Sequence, residues 1–366
     1  MVRVLFDDQI FSSQTRGGIS NYFVNIAEAF ERNPHLAVDL TGLPLFTKNE
    51  HLIESGKGNR IPFAVLQRMP ILRALNAARG AIRSARKMPR PEVIHRTYYF
   101  DGAWRRSSSV RNVVTVHDMT PELFPSAFPA GNPHVYKAEN VYNADAIACV
   151  SETTKNDLLK IYPDIQAPVV VTPLGVSPRF CPGKRGFKGH KGYFLYVGGR
   201  GGYKNFEQVL QALLLLDEQL PWELVLVGGG SISRDEAARF TRLGFAGRIR
   251  QVNPTDAELV DVYRDAICLV FPSRYEGFGL PTLEAMASGC PTLLSETPAL
   301  MEVGGDASLH FALDDPEALA KKMTVLAGDS DLREALRSRG MQRAAMYSWT
   351  RTAALTEACY QAALSQ

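Results

Sequence analysis

Short apolar runs separated by helical patterns recur along nearly the whole 366-residue chain. Eleven runs read as strands. They are 2–6, 38–41, 92–95, 112–116, 146–150 and 169–172, then 193–197, 223–227, 249–252, 267–271 and 291–294. Many are continuous and β-branched or leucine-rich, the pattern of parallel strands buried on both faces. Stretches with helical period fall between them, among them 19–30, 152–161, 206–216 and 256–265. The alternation predicts an α/β protein of βα units in open, doubly wound sheets.

The pattern breaks once, at 173–192 (PLGVSPRFCPGKRGFKGHKG), where Pro, Gly and Lys replace any period. That stretch reads as a linker between two domains. The prediction is two Rossmann-like parallel-sheet domains, 1–180 and 191–348, facing across a cleft. An amphipathic helix within 349–366 is expected to return to the first. Ligands of such sheets bind outside the carboxyl ends of the strands, so two facing edges would clamp one from both sides.

Composition changes this picture little: 45% apolar, 22% charged and net +3 describe an ordinary globular chain. The charge distribution says more. Positions 57–111 carry thirteen Lys and Arg against two acids, and the remainder of the chain is net acidic. Within that region 61–90 mixes Phe, Leu and Ile with repeated Arg. It reads equally as a helix lying on anionic lipid or as a solvated basic face over a core stripe. The five cysteines are scattered, without CxxC spacing, which suits a reducing compartment and shows no zinc pattern. Two aspartates fall within the first eight residues and no run nears a membrane span, so a cytoplasmic protein is expected, with contact at the inner membrane face left open.

Three loops carry candidate chemistry. Gly17 and Gly18 precede a helical pattern, where backbone N–H groups and the helix dipole favour a phosphate; the other reading is a flexible turn. The run VGGRGGYKNF surrounds Arg200 with four glycines and opens the next helix at Lys204-Asn205, so two cations are available to a diphosphate. SRYEGFGLPTLEAMASG, from Ser273 to Gly289, places Pro281 at a helix start, Glu276 in the loop before it and Glu284 on its first turn. Two carboxylates beside open N–H groups can grip vicinal hydroxyls. No DxD-like pair ends a strand, so no metal site is expected.

The stretch EGFGLPTLEAMASGCP, Glu276 to Pro291, resembles the E-x7-E signature of retaining glycosyltransferase family 4, a GT-B-fold family. The rest follows in order over essentially the whole chain. Gly17-Gly18 resembles the family's N-terminal diphosphate loop, VHD at 116–118 its His motif, and VSETTK at 150–155 the Ser motif after it. VTPLGV at 171–176 is similar to its V-x-P-N-G-V, with Leu174 in place of the usual Asn.

This resemblance implies roles by position. Glu276 would hold the donor sugar's hydroxyls, helped by Gly277, Phe278, Gly279 and Leu280, and Glu284 the ribose. Arg200 and Lys204 would neutralise the diphosphate, although they stand four residues apart, closer than in many relatives. His117 would face the transferred sugar. His95, Tyr98, Tyr99 and Asp118, near the ends of neighbouring strands, are candidates for the acceptor side. Positions 250–253 are candidates for reading the base.

The function implied is transfer of a hexose, with retention, from a nucleotide-diphosphate sugar to a hydroxyl of a glycan or lipid-linked glycan in cell-surface polysaccharide or lipopolysaccharide synthesis. No cofactor, metal or nucleic acid is involved. GDP-mannose is the favoured donor, because FDDQIF at 6–11 and GGIS are similar to bacterial mannosyltransferases of the family. A transferase using UDP-glucose or UDP-N-acetylglucosamine is the alternative, as is a non-catalytic nucleotide-sugar-binding partner. A same-fold epimerase or phosphorylase and a nicotinamide dehydrogenase fit less well, the last because no GxGxxG follows the first strand.

Overall fold

The structure is a computed structural model that describes residues 2–32, 36–39, 46–60, 90–99, 109–129, 131–184, 192–216 and 222–366. The basic stretch 61–90 read above as a membrane-contact candidate lies, but for Arg90, outside the described residues. The chain divides into two compact units: 1–121, 128–175 and 349–366 form one, and 122–127 with 176–348 the other.

The first unit holds strands β1 (Val2–Phe6), β2 (Leu36–Asp39), β3 (Val93–Arg96), β4 (Arg111–Val116), β5 (Ala146–Cys149) and β6 (Val169–Val171). They pair in the order β2-β1-β3-β4-β5-β6, every pair parallel. The second unit holds β7 (Tyr193–Val197), β8 (Leu224–Val227), β9 (Ile249–Val252), β10 (Ala266–Phe271), β11 (Thr292–Ser295) and β12 (Leu309–Phe311). Its order is β9-β8-β7-β10-β11-β12, again all parallel. The central runs AIAC, LVLV and TLLS are buried at every position, which is why they show no alternation in sequence.

Strand β12 has no counterpart among the predicted runs. It is three residues long with a histidine at its centre, too short and too polar to register as an apolar run. The helix Trp349–Leu364 packs on the helix Gly18–Phe30 and on β4, β5 and β6. Thr352 Oγ1 donates to the Pro173 carbonyl at 2.6 Å, and Tyr360 is fully buried. No helix among the described residues is long and apolar enough to cross a membrane.

The two strand orders put the change of winding direction at different places. In the first unit it falls between β1 and β3, in the second between β7 and β10. Ligands of doubly wound sheets bind at that reversal, beyond the carboxyl ends of the flanking strands.

Candidate active site

In the second unit the loops leaving β7 and β10 carry the residues singled out from sequence. After β7 the chain passes through the short turn Gly202–Lys204 and enters the helix Phe206–Leu214, with Asn205 between them in a left-handed conformation (φ 53°). After β10 it runs to Gly279 and the helix Leu280–Ala287. One bond ties the two loops together and another ties the second loop to the end of β11. The Arg274 N–H donates to the Tyr203 carbonyl at 2.7 Å, and Ser295 Oγ donates to the Ser273 carbonyl at 2.6 Å.

The result is an ion pair at the reversal. Lys204 Nζ lies 2.7 Å from Glu276 Oε1, with side chains 20% and 13% exposed, and the ammonium sits over the rings of Tyr203 and Phe271. Phe124, from the short segment that belongs to this unit, adds an aromatic neighbour 5.7 Å from Tyr203 and 6.2 Å from Tyr275. Gly279 (φ 100°) caps the Leu280–Ala287 helix from a conformation L residues avoid, and a Cβ there would stand 2.6 Å from Leu300 Cδ2. No side chain caps that helix start; Pro281 has no N–H and the Thr282 N–H donates to the Gly279 carbonyl at 2.9 Å, so what an anion meets there is mainly the positive dipole end. Phe278 is buried against Tyr347 and serves packing.

Glu284 stands in the helix's fifth position, not on its first turn as the sequence suggested, because the helix begins at Leu280. There it accepts a hydrogen bond from Tyr263 Oη at 2.9 Å. Burial raises its carboxyl to about 7, against smaller lowering by Tyr263 and Arg179.

Arg200 departs from its expected role. Its side chain is 7% exposed and turns away from Lys204. Nε and Nη2 meet Glu236 at 2.7 and 3.2 Å, and the fork also donates to the carbonyls of Gly228, Gly230 and Ser231. Nε, Nη1 and Nη2 thus all meet protein acceptors, whereas the sequence reading put Arg200 with Lys204 on a diphosphate. Arg250, in the stretch expected to read a base, pairs with Glu223 at 3.1 Å and lies over Tyr193.

In the first unit His117 follows β4 directly. Its ring packs edge-on against Tyr22 and Phe23 at 5.0 and 6.1 Å, and its buried Nε2 has no hydrogen-bond partner. Burial lowers its pKa to about 4; Asp118 opposes this, while Lys137 and His134 add to it. The imidazole is therefore neutral near pH 7. Burial pushes the Asp118 carboxyl up, but Lys137 and the Thr120 N–H (2.8 Å) outweigh it and hold the group below the usual range. Lys137, fully buried, donates to the Asp118 carbonyl at 2.9 Å and lies over the Tyr99 ring. Tyr98 Oη bonds His134 Nε2 at 3.0 Å. Sequence reasoning missed Lys137 and His134, which come from a separate helical segment with no motif.

His95 is corrected. It is fully buried, with Nδ1 2.7 Å from Tyr360 Oη and Nε2 2.7 Å from Thr115 Oγ1, and burial drives its pKa to about 3. Tyr99, also buried, stacks with Tyr98 and His134 and supports the wall behind them. Gly17 and Gly18 stand at the start of the helix that supplies Tyr22 and Phe23, and open space lies beside Gly18.

Comparison with known proteins matches this architecture. Residues 16–180 fit the family model described as Glycosyltransferase Family 4, and residues 180–343 fit Glycosyl transferases group 1. The chain is 30% identical over 257 residues to the O-antigen chain mannosyltransferase B of Escherichia coli, covering 65% of this chain and 67% of that one. It is 27% identical over 376 residues to the D-inositol 3-phosphate glycosyltransferase of Corynebacterium urealyticum, covering 92% and 88%. Among solved structures, sucrose-phosphate synthase from Thermosynechococcus elongatus superposes with a TM-score of 0.72 at 20% identity, over 99% of this chain and 98% of that one. WaaG, a glycosyltransferase involved in lipopolysaccharide biosynthesis, does so at 0.66 and 17%, over 98% of each. Two parallel six-stranded sheets, a lysine–glutamate pair at the reversal of the second and these matches together make the chain a GT-B-fold glycosyltransferase of family 4.

Proposed function

We propose that the enzyme transfers mannose from GDP-mannose, with retention and without a metal ion, to a hydroxyl of a growing, lipid-carried cell-surface polysaccharide on the cytoplasmic side. The Lys204–Glu276 pair at the β7/β10 reversal carries this reading. Glu276 accepts hydrogen bonds from the hydroxyls of the donor sugar. Lys204 balances the diphosphate, together with the uncapped start of the Leu280–Ala287 helix. Glu284 serves the ribose. His117, neutral and with Nε2 unpartnered, can donate or accept one hydrogen bond at the transferred sugar. Tyr98 and Asp118 stand at neighbouring strand ends in the first unit, where an acceptor hydroxyl would be met.

No protein nucleophile is required. The bond from the sugar's anomeric carbon to the diphosphate oxygen breaks as the acceptor oxygen attacks from the same face, and the leaving oxygen takes the acceptor's proton. The protein's part is to stabilise charge on the leaving group through preorganised donors. The mannosyltransferase relative at 30% identity supports mannose over other hexoses, and its O-antigen substrate supports a polysaccharide acceptor.

Thermal unfolding with GDP, UDP, TDP and ADP, each with and without magnesium, tests the donor. A nucleotide at a hundred times its Kd adds about 2.7 kcal/mol of stability. A shift with GDP that does not need magnesium is expected. A shift with UDP alone favours a UDP-hexose, one that needs magnesium overturns metal independence, and no shift with any nucleotide overturns the donor site.

A further inference from the structure

Directly after β8 come three consecutive glycines in the left-handed region: Gly228 (φ 78°), Gly229 (72°) and Gly230 (77°). A side chain at the middle one is blocked twice, since its Cβ would lie 2.7 Å from the Gly198 carbonyl oxygen and 3.0 Å from Arg200 Nη1. The carbonyls of the first and third glycines face the same side, where the same two side chains reach both.

The carbonyl side is held by two side chains. Arg200 donates to Gly228 O and Gly230 O, both at 3.1 Å, and to Ser231 O at 3.3 Å. Gln251, from β9, donates to Gly230 O at 2.6 Å and Gly228 O at 3.4 Å, and accepts from the Ile232 N–H at 2.8 Å. Glu236 completes the brace. It pairs with Arg200 on one side, and its carboxylate accepts from the Ser233 N–H in the capping box of the next helix, Arg234–Arg242. The glycines themselves are exposed at the strand-end surface, and β8 adjoins β7, whose loop carries Lys204.

We infer that Arg200, Glu236 and Gln251 are positioning residues that hold the Gly228–Gly230 turn with its N–H groups presented to the nucleotide part of the donor. This rests on the donor reading above. The planar fork of arginine is essential to it, because one side chain must reach a carboxylate and three carbonyls at once; a lysine ammonium is a single point charge. A residue that touched the leaving diphosphate for its charge would instead tolerate lysine.

Arg200→Ala, Arg200→Lys and Gln251→Ala separate the two roles. In the ligand-free protein, the Ile232 amide, which donates to Gln251 Oε1 from the end of the braced turn, should exchange hydrogen at least about tenfold faster in both Arg200 variants and in Gln251→Ala, as local opening frees it. In the transfer assay, donor KM should rise about ten- to a hundredfold in all three, as expected for a misplaced binding element, while kcat at saturating donor stays within about threefold. Unchanged exchange in all three variants overturns the brace. So does a loss of kcat of about 10²–10³ in Arg200→Ala that Arg200→Lys restores, since that places Arg200 on the leaving group. If wild type binds none of GDP, UDP, TDP or ADP, the donor reading fails, and the exchange measurement alone decides whether the brace exists.

Discussion

The two sheets have the same number of parallel strands yet opposite chemistry at their carboxyl ends. In the second unit the reversal between β7 and β10 is charged: Lys204 and Glu276 face each other there. In the first unit the reversal between β1 and β3 is filled by its own polar groups. Asp7 Oδ1 accepts from the Thr97 N–H at 3.0 Å and from Thr97 Oγ1, Arg96 Nη1 stands 3.6 Å from Asp7 Oδ2, and Thr97 Oγ1 accepts from the Ile10 N–H at 3.2 Å. The first unit's candidate groups sit one strand further on, around His117, whose neutral ring packs against Tyr22. A topological reversal marks where a ligand can bind; which side chains the loops bring there sets the chemistry it offers.

That contrast can be broken from either side. Lys204→Ala removes the positive charge at the second unit's reversal and should lower the transfer rate by about 10²–10³, measured as initial velocity at saturating donor. A rate within about twofold of wild type would sink the donor assignment. Tyr360→Phe tests the closed side. It leaves His95 Nδ1 buried without its partner and should cost about 1–3 kcal/mol in urea unfolding. Because the loss lies in the core, the Kd for GDP should not move.

His117→Phe keeps an aromatic ring against Tyr22 but deletes Nε2. A loss of about tenfold in kcat/KM, the worth of one hydrogen bond of about 1–1.5 kcal/mol, is expected. Stability should barely change, and a variant as active as wild type would reduce His117 to packing.

The smallest effect concerns pH. Glu284 titrates near 7 in the folded protein against an ordinary 4.5, so the folded state holds its proton more tightly than the unfolded chain. Its contribution is most favourable below about pH 4.5 and is lost as pH rises towards 7. Glu284→Gln removes that loss. The variant should unfold at a higher temperature than wild type at pH 8 when ligand-free, and the gap should shrink towards pH 5. A gap that does not depend on pH would show that the carboxyl is not held protonated.

Most of the fold was legible because buried parallel strands are written as continuous apolar runs, as in LVLV and TLLS. Lys204 and Glu276 were each legible as residues of glycine-rich loops at strand ends, but their ion pair, which needs β7 and β10 side by side, was not. Arg200 misled for a local reason. It stands four residues before Lys204, but the turn between them passes through Gly202 at positive φ, and Arg200 is drawn to Glu236 while Lys204 meets Glu276. Its partner Glu236 lies 36 residues away, beyond any motif. His95 could have been read correctly. In VIHR it shares the buried face of β3 with Val93, a period-two signal that outweighs its place near the strand end.

The helix Trp349–Leu364 belongs to the first unit, although the whole of 176–348 is made before it. On the ribosome the first unit therefore waits. Until the last helix emerges, the Gly18–Phe30 helix and strands β4 to β6 lack their cover, and His95 and Pro173 lack the hydroxyls of Tyr360 and Thr352. The second unit, continuous but for one short segment, is free to fold earlier. The order of completion is thus reversed relative to the order of synthesis: the part made first is finished last.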